Sequence, residues 1–220
     1  QGIVTKIVGS EPQPPTFEDP GWFTRASLTG DPSASGITTI YVNQWLKAQL
    51  EGLGYTHVDT LWTSPFASQM FETCNAGVSV FTYRGYLGVS GFSTSYLENG
   101  LEMPFAVIPT CASGSFASSS HTYSEAFLRN PDGGAIGSIG TATTGTHTRY
   151  NNCYFHGVWE GVLNEDDRHL GYGHTRGKLE LFRQYAANEP DIPVIWSVWN
   201  NLMGDPATEM WQAPPTALQV

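Results

Sequence analysis

Cys111 follows an apolar run, residues 105–110 (FAVIPT), and opens a turn of small residues, Ala112-Ser113-Gly114-Ser115. A strand end followed by a tight turn is where a nucleophile is presented. The attacking species is the thiolate, which a neighbouring base or backbone N–H groups must favour. Small residues at 112–114 would let backbone donors approach a substrate oxygen, as an oxyanion hole requires. The plainer reading, which pattern alone favours, is a small buried apolar residue ending a strand. The other cysteines are Cys74 and Cys153, and an odd count leaves at least one thiol without an internal partner.

A thiol nucleophile needs a proton-transfer partner, and His121, His147 and His156 are the candidates to weigh. His147 follows a loop, residues 141–148, expected at the same sheet edge as Cys111, so it is the best placed as a substitute base. For all three, an ordinary polar or surface histidine is the plainer reading. His169 and His174 flank Gly-Tyr-Gly, but two histidines in a loop make a poor zinc set, and no metal site is expected from them. Gly85, Gly88 and Gly91 imitate a phosphate loop without its Lys-Ser/Thr. Trp45, Trp62, Trp159, Trp196 and Trp199 fall at core-facing spacing, which favours packing over sugar binding. Glu125 reads as a helix-start residue rather than one of a catalytic carboxylate pair.

Positioning these residues requires a sheet. Strand-like runs at 25–29, 57–62, 77–83, 105–110 and 135–139 alternate with helical patterns at 37–53, 123–129, 153–163 and 178–187. Residues 192–202 read as a last strand or a pair of short strands. Such alternation predicts an α/β domain, a mostly parallel sheet with helices on both faces. Functional loops then gather at the carboxyl ends of the strands, which selects residues 83–91 and 110–116. Residues 9–20 contain four prolines and read as a linker, so residues 1–20 are expected to be the end of a preceding unit plus that linker. Residues 211–220 read as an exit linker, leaving 21–210 as the domain.

Ten Lys and Arg stand against 20 Asp and Glu, a net charge of −10 that disfavours nucleic acid as a partner. Only 14% of residues are charged, a composition closer to exported than to cytosolic proteins. No stretch is long enough for a membrane span. The 40% hydrophobic content supports a sizeable core.

The segments PFAVIPTCASGSF, YSEAFLR and GGAIGSIGTAT, in that order, resemble the nucleophile region of the gingipain family of cysteine peptidases. Residues 78–88 resemble that family's strand and loop carrying the catalytic His, residues 35–55 its opening, and Gly204-Asp205-Pro206 its closing segment. The resemblance implies a three-layer caspase-like fold, Cys111 as nucleophile, and a peptide or protein as substrate or ligand. It also implies a secreted or cell-surface protein, with flanking domains in the same parent chain. No catalytic cofactor is implied; calcium is an optional structural ion, for which residues 164–167 could offer oxygen ligands without any EF-hand-like spacing.

One departure bears on the chemistry. Where the family has Gly-His-Gly, this chain reads Gly85-Tyr86-Leu87-Gly88, so Tyr86 stands at the His position beside Gly85. A phenol, which ionises near ~10, does not shuttle protons near neutral pH as an imidazole does. Two functions follow: a cysteine endopeptidase of impaired activity, or a catalytically silent binding or structural module of a larger exported protein.

Overall fold

The computed structural model describes residues 2–10, 19–86, 88–117, 120, 122–165 and 167–214. Its elements run α1 (Gly2–Ser10), β1 (Arg25–Gly30), α2 (Thr38–Gly52), β2 (His57–Leu61), α3 (Phe66–Asn75), β3 (Val80–Arg84), β4 (Phe105–Ile108), α4 (Tyr123–Arg129), β5 (Gly137–Thr141), α5 (Thr148–Asn164), α6 (Leu170–Tyr185), α7 (Asp191–Trp199) and β6 (Asn200–Met203). The six strands form one sheet in the order β2-β1-β3-β4-β5-β6. Five are parallel, and β6 closes the edge antiparallel to β5.

Alternation along each strand builds the three layers, because successive side chains point to opposite faces. In β4, Phe105 and Val107 enter one core with Leu46 and Leu50 of α2, Phe155 and Trp159 of α5, and Leu181 of α6. Ala106 and Ile108 enter the other with Met70 and Cys74 of α3 and Phe127 of α4. Both faces of the central strands are covered, which explains their uninterrupted apolar sequence.

The structure departs from the sequence expectations at two elements. Residues 66–75, assigned no element from sequence, form α3, with Phe66, Met70 and Cys74 buried at a spacing of four. Residues 192–202 are not a strand pair: helix α7 occupies most of the segment, and only its end joins β6. Residues 2–10 form α1, which contacts α4. Its Lys6 Nζ is buried and donates to the carbonyls of Gly133 (2.6 Å), Asn130 (3.0 Å) and Phe127 (3.5 Å) at the end of α4. The Phe127 and Asn130 carbonyls lie at the C-terminus of α4, where a helix runs out of intrahelical donors, and burial pulls the amine down to about 8.

Candidate active site

Four parallel strands deliver their carboxyl ends to one edge of the sheet. β1 delivers Asp31, β3 delivers Arg84 to Tyr86, β4 delivers Cys111, and the loop after β5 delivers Thr146 and His147. The turn after β4 is locked from below. Ser113 is fully buried and its hydroxyl lies within hydrogen-bond reach of the Ile108 (2.6 Å) and Thr110 (2.7 Å) carbonyls. Gly114 lies directly on β5: a Cβ there would sit 2.7 Å from the Gly140 carbonyl carbon, and one on Gly140 would sit 2.7 Å from the Gly114 nitrogen. Both positions need glycine for this approach. Ala112 takes a left-handed conformation (φ 56°), which turns the chain sharply after the nucleophile position.

The turn's amides differ from the oxyanion-hole expectation. The N–H groups of Ala112, Ser113 and Gly114 already donate to the carbonyls of Thr143, Thr110 and Thr141, at 2.7, 3.2 and 3.1 Å. They hold the turn together and are not free for a substrate oxygen.

The sulfur of Cys111 is half-buried and faces a hydroxyl: its Sγ lies 2.9 Å from Thr146 Oγ1. Behind Thr146 runs a directed chain. Trp196 Nε1 donates to Asn151 Oδ1 (2.8 Å), and Asn151 Nδ2 donates to Thr146 Oγ1 (2.9 Å). An indole can only donate, which fixes the Asn151 amide, so Thr146 Oγ1 accepts from Asn151; between Thr146 and the sulfur either atom can donate. Beneath the turn, Arg84 is fully buried. It donates to the Pro109 carbonyl (2.6 Å), to Thr110 Oγ1 (3.3 Å) and twice to Asn152 Oδ1 (2.9 and 2.8 Å). Burial pulls its guanidinium down to about 10, while neighbouring Tyr83 and Cys111 act in the opposite sense.

Tyr86 leaves the same edge, but its side chain is 54% exposed. No hydrogen bond joins it to Cys111 among the described residues. A Cβ on Gly85 would collide with the Tyr83 phenol, so the glycine serves the packing of Tyr83 under the loop. The loop is tied down by Asp31, which accepts from Ser90 Oγ (2.6 Å), Ser33 Oγ (2.6 Å) and Ser33 N–H (2.9 Å). Burial alone would raise the Asp31 carboxyl, but these hydrogen bonds outweigh it and hold it below the usual range.

His147 sits next to Thr146, yet its ring serves another purpose: Nδ1 accepts from the Arg149 N–H (3.2 Å) and caps α5. His156 stacks on Trp45, ring centroids 4.2 Å apart, away from the sulfur. His121 lies outside the described residues. His174 is pushed down to about 3 by burial, and its Nδ1 bonds the hydroxyl of buried Tyr154. His169 pairs with Asp167 (2.7 Å). Among the described residues no group of three or more His, Cys, Asp or Glu could hold a metal ion. In the loop at 164–167, Glu165 is bound by Arg176 and Tyr172, and Asp166 lies outside the described residues. Glu125 accepts from the Thr122 N–H (3.3 Å) at the start of α4, as its sequence position suggested. All three thiols are free: Cys74 is buried under α3, and burial pushes Cys153 up to about 12.

Thr146, Asn151 and Arg84 were not picked out from the sequence. No spacing marks Thr146, because its partner is 35 residues away. Arg84 did carry a signal, a charge closing the apolar run 78–83. Beside the turn lies a cavity of about 540 Å³ whose walls include Phe92, Thr94, Ala112, Thr122 and Tyr123, and no charged side chain among the described residues.

A parallel sheet sandwiched by helices, with a cysteine at the carboxyl end of a central strand, defines a cysteine-peptidase scaffold of the caspase-like type. More narrowly, Peptidase family C25 matches residues 4–211, and the chain belongs to that family. Its fold is similar to the Arg specific cysteine proteinase gingipain R (TM-score 0.84, 20% identity), covering 98% of this chain and 53% of that one. A complex of Porphyromonas gingivalis RgpB pro- and mature domains matches equally (TM-score 0.84, 19% identity, 98% of this chain and 54% of that one). More distant is the Saccharomyces cerevisiae separase–securin complex (TM-score 0.59, 8% identity), covering 82% of this chain and 11% of that one. The chain thus spans about half the length of the gingipain structures it matches. No curated protein matches the sequence.

Proposed function

We propose that this is a gingipain-like domain that presents Cys111 to a peptide or protein ligand but turns over peptide bonds poorly or not at all. The observation that carries the reading is the partner of the sulfur: Thr146 Oγ1 at 2.9 Å, a hydroxyl, with no imidazole bonded to Cys111 among the described residues. A hydroxyl can hold a sulfur in place, but it does not take up its proton near neutral pH and return it to a leaving amine. Tyr86 at the family's His position, exposed and unbonded to Cys111, supports the same reading. Among the described residues the walls of the neighbouring cavity carry no charge, which favours a neutral ligand side chain over the arginine named for gingipain R. The low charge content and the family favour a place outside the cell or on its surface, within a larger parent chain.

The test is cleavage of a mixed peptide library by wild type, Cys111→Ala and Tyr86→His. Wild-type turnover is expected near the Cys111→Ala background, since losing general acid–base help typically costs ~10²–10⁴-fold. Robust wild-type cleavage abolished by Cys111→Ala would overturn the proposal and make His147 the first substitute base to mutate.

A further inference from the structure

We infer that Arg84 is the electrostatic partner of the Cys111 sulfur, supplying the fixed positive charge that an imidazolium supplies in a thiol–imidazole pair. This rests on the reading of Cys111 as the presented nucleophile, but not on whether the domain turns over substrate.

Arg84 is anomalous. It is fully buried, yet all of its hydrogen-bond partners are neutral: the Pro109 carbonyl, Thr110 Oγ1 and Asn152 Oδ1. Among the described residues no carboxylate pairs with it. A buried cation without a counter-ion is costly, and proteins retain one where an anion forms or binds nearby. The carboxylate at the adjacent strand end, Asp31, is taken by Ser33 and Ser90. The other cation of this edge, Arg149, is exposed and paired with Glu189 (2.6 Å).

The candidate anion is the sulfur. Pro109 and Thr110, which Arg84 grips, are the two residues immediately before Cys111, so the charge sits at the root of the nucleophile turn. The Thr146 hydroxyl, held by Asn151 and Trp196, lies at 2.9 Å from the sulfur and against a thiolate can only donate. A cation and a donor together favour a thiolate. Of the two tasks of a catalytic imidazole, placing a positive charge near the sulfur is the one that buried Arg84 can fill. Passing a proton to the leaving group is not.

Two alkylating reagents of nearly equal size separate charge from access. Iodoacetate is anionic and iodoacetamide neutral; each forms a carbon–sulfur bond at the thiolate and releases iodide. The reading is the ratio of their rates at Cys111, located by peptide mass mapping. In native protein the iodoacetate-to-iodoacetamide ratio is expected to be several-fold higher than in the same protein unfolded in urea. The excess should survive high salt, which screens exposed Arg149 far more than a buried charge. Arg84→Lys should keep most of it and Arg84→Met should lose it, whereas Thr146→Val should slow both reagents and leave the ratio nearly unchanged. A native ratio equal to the unfolded one overturns the proposal without any variant, as does an excess that salt abolishes or one that persists in folded Arg84→Met. None of these outcomes depends on peptidase activity, so the two proposals stand or fall separately.

Discussion

The turn carrying Cys111 and the loop carrying Tyr86 leave neighbouring strands, yet they are built in opposite ways. The cysteine turn rests on buried backbone: three of its amides and the Ser113 hydroxyl bond inward, and Gly114 lies against Gly140. The Tyr86 loop stands higher. Val89 and Ser90 adopt left-handed conformations (φ 45° and 49°) that non-glycine residues seldom take, and a single carboxylate, Asp31, gathers the surrounding hydroxyls. Presentation of the sulfur is therefore a property of the core, whereas the position of Tyr86 is a property of the surface.

The most damaging test of this contrast is Gly114→Val. Its Cβ would meet backbone atoms of Gly140 at 2.7–2.9 Å, and neither side can yield. Chemical denaturation should show a loss of about 2–4 kcal/mol, with altered Cys111 labelling. A loss within about 0.5 kcal/mol, the scatter of surface substitutions, would mean the turn is not part of the core.

Asp31→Asn probes the other region and should cost less, about 1–2 kcal/mol, because Ser33 and Ser90 bond different carboxylate oxygens and an amide keeps only one acceptor. A sign follows for pH. The carboxyl is held below its ordinary range in the folded protein. Its contribution is thus fully present above the unfolded carboxyl value near ~3.9 and is lost as pH falls through the lower folded value. Urea midpoints of wild type and Asp31→Asn should converge as the pH drops below that range; a constant gap would show that the charge is not what holds the loop.

The smallest effect has the opposite sign. Ala112 carries the left-handed residue of the cysteine turn, so Ala112→Gly should relieve strain and stabilise by about 0.5–1 kcal/mol. A thermal midpoint that falls instead would show that the Ala112 methyl packs in a way that outweighs its backbone strain.

The sheet was legible in the sequence because its strands are short, apolar and bounded by turn residues; five of the six expected positions hold strands, and the sixth, 192–202, holds one only at its end. Helix α7 was misread because DIPVIWSVW is rich in β-branched and aromatic residues, which favour strands locally; burial of Trp196 against α5 and α6 overrides that preference. Helix α3 escaped notice because its buried side is only three residues deep. At the site, Cys111 could be singled out because a strand end is a local pattern. The Thr146–Asn151–Trp196 chain could not, since it is assembled from a loop and two helices through side-chain directions that no spacing encodes.

The exposure of Tyr86 has a consequence for how such a domain changes over generations. A side chain standing in solvent can be exchanged at almost no cost to folding. Selection for a stable fold therefore exerts no hold on an imidazole at this position; only selection for turnover does. The glycines under the cysteine turn are in the reverse situation, because the fold itself needs them. A lineage that ceased to need cleavage would lose the histidine first and the turn last, keeping a correctly presented thiol long after the proton relay had gone.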